Sequence, residues 1–236
     1  MASSPSAARP LVVIQARTGS ERLPGKVLAD LCGRPLLDRL VERLSTSKTT
    51  VGIVVATTTD AADDAVKALA EARGAQVVRG HPTDVLARFV SALDATGAAS
   101  IVRISADSPF LDAATVDAVV SDFDRGGADL VQNHRTPGWP IGTAVEVLGA
   151  ECLRRIDAEA DDPGIREHVT LHAYDHPERF AIRYVPPPSA LAAPELRLCV
   201  DTAEDLERAR RIYAAFGGKD VALADIVGRF REVAVA

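Results

Sequence analysis

The chain has 236 residues, of which 47% are apolar and 4% aromatic, and its formal net charge is −6. This length suits one buried core, which aliphatic side chains must fill because aromatic residues are so few. The acidic balance argues against duplex nucleic acid as a partner, since such binding needs a basic face. No apolar run reaches membrane length, and three cysteines without a CxxC spacing are typical of free thiols. We therefore expect a cytoplasmic protein that binds neither nucleic acid nor membrane.

Apolar runs bounded by turn residues alternate along the chain with segments of helical spacing. Residues 1–10 are expected to form a disordered tail ahead of a single domain over 11–236. The predicted strands are 11–16, 52–57, 76–79, 101–105, 130–133, 145–148, 181–185 and 196–200, and the predicted helices include 35–45, 63–73, 83–96 and 202–216. This alternation predicts an α/β fold with a doubly wound, mostly parallel, Rossmann-like sheet. It breaks around 133–148, where we expect a small excursion that binds an acceptor.

The loop after the first predicted strand is rich in cations. Between Gln15 and Lys26 it carries three cations, two glycines and two hydroxyl residues. Glycines let a backbone approach a phosphate closely, and guanidinium and ammonium groups bind phosphate oxygens. Ligands of an open α/β sheet bind beyond the carboxyl ends of its strands, where this loop would lie. The loop matches neither a Walker loop nor GxGxxG, and its composition alone fits a solvated basic turn equally well.

Two aspartates follow predicted strands, Asp107 after 101–105 and Asp201 after 196–200. Magnesium usually binds one or two carboxylates together with substrate phosphates, so one ion could reach both side chains. Each residue alone also has an ordinary explanation. Asp107 could start a turn, and Asp201 could cap a helix.

Together these motifs resemble the acylneuraminate and Kdo cytidylyltransferase superfamily, and most closely its spore coat polysaccharide biosynthesis branch. The loop matches the superfamily pattern AR-x-x-S-x-R-x-P-x-K at every position from Ala16 to Lys26. The segments around Asp107 and Asp201 resemble G-D-x-P and V-D-T-x-E-D, and residues 164–170 resemble S-x-R-E-H-V-T. The resemblance covers about 11–216 and implies the GT-A type of fold found in nucleotide-diphospho-sugar transferases.

The resemblance also implies a nucleotide and metal site. It places the triphosphate on the loop, with Lys26, Arg17 and Arg22 as the catalytic cations, and Mg²⁺ on Asp107 and Asp201. The nucleotide-binding residues that it predicts are Gln15, Ala16, Gly19, Ser20, Arg79, Asp84 and Arg103, of which Arg103 could instead face a structural carboxylate. Residues 78–88 resemble the region that contacts cytosine in sialic acid relatives, but Asp84 could equally start a helix with Arg88 solvating it.

The predicted acceptor-binding residues are Trp139, Arg166 and His168. Trp139 lies between prolines and could equally serve to pack its own loop. His168 could equally be a partly buried histidine or an interface residue. Glu167 is expected to have a structural or dimer role. The resemblance therefore implies a homodimer that transfers CMP from CTP to a sugar-like acceptor, such as a nonulosonic acid, and releases pyrophosphate.

The sequence departs from the branch at two places. Ala106 replaces the glycine of G-D-x-P, and residues 140–146 read P-I-G-T-A-V-E where the branch has P-D-G-x-D-V-E. Ile141 and Ala144 thus replace two family aspartates. Two alternatives stay open: transfer of another nucleotide to a sugar phosphate, and a nucleotide-binding partner protein with altered catalysis.

Overall fold

The computed structural model describes residues 9–231, so all but Arg9 and Pro10 of the predicted tail lies outside the described residues. Pro10 is buried, and its carbonyl accepts a hydrogen bond from the Val51 amide. Within this range, no helix is long and apolar enough to cross a membrane.

The strands of the described chain form one sheet. They are β1 (Leu11–Gln15), β2 (Ile53–Thr58), β3 (Gln76–Gly80), β4 (Ser100–Ser105), β5 (Leu130–Gln132), β6 (Glu146–Gly149) and β7 (Ile182–Tyr184). Their order is β3-β2-β1-β4-β6-β5-β7. Strand β6 runs antiparallel to β4 and β5, and the other neighbours are parallel. The prediction of a mostly parallel α/β sheet is confirmed.

Helices cover both faces of this sheet. They are α1 (Leu36–Ser45), α2 (Asp64–Ala72), α3 (Val85–Thr96), α4 (Ala113–Phe123), α5 (Ala150–Glu159), α6 (Pro163–Glu167), α7 (Leu171–Asp175), α8 (Ala203–Ala215) and α9 (Leu223–Phe230). Successive residues of a strand point to opposite faces. Accordingly, Val12 and Ile14 pack with α1, α2 and α4, whereas Leu11 and Val13 pack with α3 and α5. Strand β1 is therefore buried on both sides, as the central strand of a doubly wound sheet must be.

The prediction of a strand at 196–200 is wrong. This segment is extended but makes only an isolated bridge, between Arg197 and Ile141, outside the sheet. Its alternating residues Leu196, Leu198 and Val200 are buried against α8 and α9 in a separate apolar cluster. The Val200 amide donates to the Asp107 carbonyl at 2.8 Å, which places the end of the segment beside the end of β4.

Helix α8, predicted at 202–216, begins with a capping box. The Thr202 hydroxyl accepts from the Asp205 amide, and the Asp205 carboxylate accepts from the Thr202 amide. Together these bonds satisfy amides that a helix N-terminus leaves without partners. They fix the chain direction immediately after Asp201.

Gly142 lies directly against the Cys199 backbone, where the 133–145 loop meets the 196–200 segment. Its φ is +94°, and a Cβ there would lie 2.3 Å from the Cys199 amide nitrogen. We expect Gly142→Ala to lower the free energy of unfolding by about 3 to 5 kcal/mol, from left-handed strain plus overpacking.

Gly97→Ala is the matched control, because Gly97 has a φ of +67° and open space around its missing Cβ. That variant should lose only about 1 kcal/mol, the cost of the left-handed backbone alone. Urea unfolding of both variants measures the difference. Equal losses would show that the contact with Cys199 does not constrain the fold.

Candidate functional site

A cavity of about 460 Å³ opens at the carboxyl ends of β1 and β4. The chain leaves β1 toward β2 and β3 on one side of it, then crosses to β4 on the other side. Open α/β sheets bind their ligands at such a reversal of strand order. The cavity thus lies where the topology predicts a ligand site.

Most of the predicted site residues meet in this cavity. Those that line it are Gln15, Ala16, Arg17, Ser20, Arg22, Lys26, Asp107, His168 and Asp201. They come from the loop after β1, the end of β4, the end of α6 and the segment before α8. Side chains that are far apart in sequence therefore form one polar surface.

Lys26 lies between the two aspartates. Its Nζ is 2.9 Å from Asp201 Oδ1 and 3.5 Å from Asp107 Oδ2, and its side chain is only 12% exposed. Arg22 adds a contact of 3.1 Å from Nη2 to Asp201 Oδ1. Burial pushes the pKa of Asp201 upward, but the hydrogen bond and charge of Lys26 outweigh it and hold the pKa below its usual range. Asp201 is therefore ionised at neutral pH.

The second oxygen of Asp201 is held by Arg197. The guanidinium donates from Nη2 to Asp201 Oδ2 at 2.9 Å and from Nε to Asp205 Oδ1 at 2.9 Å. Asp205 in turn accepts from the Asp201 amide at 3.0 Å. These contacts fix the Asp201 carboxylate from behind and leave Oδ1 directed toward Lys26.

Asp63 anchors the cationic loop to the end of β2, a role that sequence reasoning missed. It is 1% exposed and accepts from both the amide and the hydroxyl of Thr18 at 2.7 Å, and from the Thr58 hydroxyl. Burial raises its pKa, but these hydrogen bonds more than reverse the effect and leave the pKa lowered. No pattern around Asp63 distinguishes it from an ordinary acidic residue at a helix start.

Arg17 is held by two partners at the rim of the cavity. Its Nη2 pairs with Glu167 Oε1 at 3.0 Å, and its Nη1 donates to the Pro82 carbonyl at 3.0 Å. Glu167 also lines the cavity. It therefore belongs to the site, in addition to holding Arg17 as its expected structural role would require.

Three predicted ligand residues instead form ion pairs outside the cavity. Arg79 donates to the Thr58 and Asp60 carbonyls and pairs with Asp64. The Asp84 carboxylate caps α3 by accepting from the Ala87 amide at 2.9 Å, and its other oxygen pairs with Arg166 Nε at 2.9 Å.

Arg166 also pairs with Asp157 at 2.7 Å and donates to two carbonyls. The helix-start alternative for Asp84 is therefore the one that the structure shows. The predicted ligand roles of Arg79 and Arg166 are corrected, since protein groups already occupy their donors.

Trp139, Arg103 and Gly19 are also absent from the cavity lining. Trp139 is 6% exposed and its indole N–H donates to the Val185 carbonyl at 2.8 Å, so it packs the loop rather than presenting a face to a sugar. Arg103 pairs with the buried Glu146, whereas Gly19 is an exposed residue of the loop.

His168 is placed at the cavity by the backbone that follows it. Val169 has a φ of +54°, a left-handed conformation that is rare for a β-branched residue. Thr170 holds the next position, because its hydroxyl donates to Glu146 Oε1 at 2.9 Å. Glu146 also accepts from Tyr174. A buried polar network therefore constrains the turn that carries His168.

A mostly parallel α/β sheet, with a cationic loop at its switch point and two carboxylates around one lysine, defines an enzyme of the nucleotidyltransferase class. The chain matches the family model described as Cytidylyltransferase over residues 11–223. It belongs to this family, as the resemblance in the sequence implies.

Its relatives include curated proteins and solved structures. The spore coat polysaccharide biosynthesis protein SpsF of Bacillus subtilis is 35% identical and covers 92% of both chains. A 3-deoxy-manno-octulosonate cytidylyltransferase of Rhodospirillum centenum is 31% identical over 86% of this chain and 93% of its own. The structure of a cytidylyltransferase from Leptospira borgpetersenii has a TM-score of 0.90 at 27% identity, covering 96% of this chain and 95% of its own.

The anchor at Asp63 generates a prediction with a pH dependence. Asp63→Asn should lower the free energy of unfolding by about 1.5 to 3 kcal/mol at pH 7, the usual range for hydrogen bonds to a charged group. A carboxyl with a lowered folded pKa stabilises the protein above its unfolded pKa of 3.8 and loses that effect as pH falls through the folded value. The deficit of the variant should thus shrink below pH 3.8.

The neighbouring Asp64→Asn provides the control, because Asp64 is an exposed partner of Arg79 with a side chain 66% exposed. Its loss should be below about 1 kcal/mol. Urea unfolding at a series of pH values tests both variants. A deficit for Asp63→Asn that persists unchanged into acid would contradict the anchoring role of the charge.

Proposed function

We propose that the protein transfers CMP from CTP to a sugar-like acceptor and releases pyrophosphate. The observation that carries this proposal is the Lys26 ammonium between Asp107 and Asp201, at the switch point of the sheet. The family supports it, since a relative that covers most of the chain is named as a cytidylyltransferase acting on 3-deoxy-manno-octulosonate. A cytoplasmic homodimer stays a prediction.

The donor set at this position fits Mg²⁺. Both carboxylates lie within 3.5 Å of one nitrogen atom, so they face a common point. Among residues 9–231, no group of three or more acidic, histidine or cysteine side chains is arranged to hold a metal. Two carboxylates with substrate phosphates completing the shell is the usual arrangement for magnesium, whereas an all-protein cage is not. When bound, the ion would supply charge neutralisation on the phosphates.

The cationic loop would bind and orient the triphosphate. In the proposed reaction, an acceptor hydroxyl oxygen forms a bond to the α-phosphorus while the bond to the bridging oxygen of pyrophosphate breaks, and the hydroxyl proton passes to water. Negative charge then grows on the departing pyrophosphate. Lys26 and Arg22 line the cavity and would stabilise that charge, and Arg17 is held at the rim of the same cavity by Glu167.

The altered 140–146 segment does not by itself argue for an inactive protein. Ile141 is 47% exposed and lies against the 196–198 segment, and neither it nor Ala144 lines the cavity. The absence of the family's two aspartates therefore leaves the contacts of Lys26 with Asp107 and Asp201 unchanged. His168 lines the cavity and is our candidate for contact with the acceptor.

Pyrophosphate release with CTP, Mg²⁺ and a panel of acidic and neutral sugars tests the proposal. We expect turnover with at least one sugar acid, and we expect Asp107→Asn and Asp201→Asn each to lower kcat/KM by about 100-fold or more. Asp124→Asn is the control, because this exposed aspartate follows α4 and lies outside the cavity. Full activity in both site variants, or pyrophosphate release with other nucleotides but not CTP, would refute the proposal.

A further inference from the structure

Glu167 places a carboxylate in the cavity that would receive a triphosphate. It lines this cavity together with Lys26, and its side chain is 42% exposed. A carboxylate and a phosphate repel each other, so an acidic side chain here would weaken binding unless it served another purpose. Among residues 9–231, the one ion pair of Glu167 is with Arg17. The purpose of Glu167 is therefore to be sought in what it does to Arg17.

The short helix that carries Glu167 is fixed by the preceding residue. Arg166 pairs with Asp84 at 2.9 Å and with Asp157 at 2.7 Å, which attaches α6 to the start of α3 and to α5. Arg166 also donates to the Ala160 carbonyl at 2.9 Å. The backbone of Glu167 is thus held by contacts of its neighbour, and its own carboxylate stays available for Arg17.

Arg17 is held at two points and keeps other donors. Its Nη1 donates to the Pro82 carbonyl and its Nη2 to Glu167 Oε1, both at 3.0 Å. A guanidinium has five N–H groups, and its side chain makes no further hydrogen bond within residues 9–231. Arg17 can therefore donate to a phosphate without breaking its pair with Glu167.

Glu167 also offsets positive charge in the cavity. Arg88, which the sequence analysis treated as solvated, is 2% exposed and lines the same cavity. Burial lowers the pKa of Arg88 and the nearby charge of Arg17 lowers it further, whereas Glu167 is among the carboxylates that raise it. Two guanidinium groups in one cavity repel each other. The Glu167 carboxylate reduces this repulsion and so keeps Arg17 from turning outward to solvent.

We propose that Glu167 is a positioning residue, which holds the Arg17 guanidinium toward the triphosphate and connects the phosphate end of the cavity to the turn that carries His168. His168 follows Glu167 directly and lines the same cavity. A triphosphate that accepts hydrogen bonds from Arg17 would therefore also restrain α6 and this turn. The inference rests on the proposed function, since it takes the ligand to be a nucleoside triphosphate.

Calorimetric titration of the full chain with CTP and with inorganic tripolyphosphate, each with Mg²⁺, tests this role. Tripolyphosphate carries the phosphates without a base. Glu167→Ala should weaken the binding of both ligands by about tenfold, because Arg17 is no longer held toward them. Glu167→Gln keeps an oxygen that can accept from Arg17, so it should lose only about threefold.

A double variant distinguishes positioning from direct contact. If Glu167 acts through Arg17, the variant that combines Arg17→Met with Glu167→Ala should bind tripolyphosphate no more weakly than Arg17→Met alone. Glu207→Ala is the matched control, because Glu207 pairs with Arg210 on α8 outside the cavity and its side chain is 58% exposed. This control should bind both ligands as the unaltered protein does.

Hydrogen exchange tests the connection to the His168 turn. Saturating tripolyphosphate should slow amide exchange in residues 163–170 of the unaltered protein by about fivefold, and Glu167→Ala should abolish this protection at equal saturation. Without ligand, Glu167→Ala should melt within about 4 °C of the unaltered protein, because a partly exposed ion pair contributes little to stability.

The contrary outcomes are distinct. Tighter binding of tripolyphosphate by Glu167→Ala would make Glu167 a competitor of the phosphates for Arg17 and overturn the proposal. Additive losses in the double variant, unchanged exchange in residues 163–170, or a larger fall in melting temperature would overturn it as well. If the unaltered protein binds CTP no more tightly than other nucleoside triphosphates while the tripolyphosphate results hold, the proposed function fails and the role of Glu167 stands.

Discussion

The site depends on one ammonium group held between two carboxylates. Asp107 and Asp201 would repel each other if they met alone, and Lys26 Nζ lies within 3.5 Å of both. Because the lysine side chain is largely buried, water screens this attraction less than it would at an open surface. The loop after β1, the end of β4 and the segment before α8 all have to be placed correctly for this contact to form. The other elements of the fold hold these three segments in position.

The placement of Asp201 comes from packing rather than from the sheet. Leu196, Leu198 and Val200 are buried against α8 and α9, and Arg197 and the capping box fix the turn that follows. The backbone bond from Val200 to Asp107 then ties the two acidic segments together. A substitution that disturbs this peripheral apolar cluster would therefore displace Asp201 and Asp107, the candidate metal ligands, without altering the central sheet.

The sequence predicts this fold where local patterns carry the information. Buried strands and amphipathic helices have distinct periods, so the sheet and helices such as the one predicted at 202–216 are confirmed. The segment 196–200 shows what such local patterns cannot predict. Alternation reports that one face is buried, and it does not report whether a neighbouring strand supplies backbone partners. The resemblance, in turn, is confirmed by the family to which the chain belongs.

The same distinction between local patterns and long-range contacts applies to the site residues. Arg17, Arg22 and Lys26 are grouped within one short loop, so their convergence needs no long-range knowledge. The partner of an isolated charged residue depends on the whole fold, which is why Arg166 was assigned to a ligand although Asp84 and Asp157 bind it. Asp63 was missed for the same reason, and the burial of Arg88 was not foreseen. Satisfaction of a buried polar group is a three-dimensional property.

The buried polar groups beneath the cavity and those that line it differ in how they are satisfied. Beneath His168, the buried Glu146 accepts from Thr170 and Tyr174 and pairs with Arg103, which holds its pKa below the usual range despite burial. The protein itself therefore supplies the hydrogen bonds and the ion pair of the Glu146 carboxylate. In the cavity lining, Arg88 and Gln15 have buried polar atoms without hydrogen-bond partners in the described chain. Because Arg88 and Gln15 line the cavity, a ligand bound there is in a position to complete their hydrogen bonding.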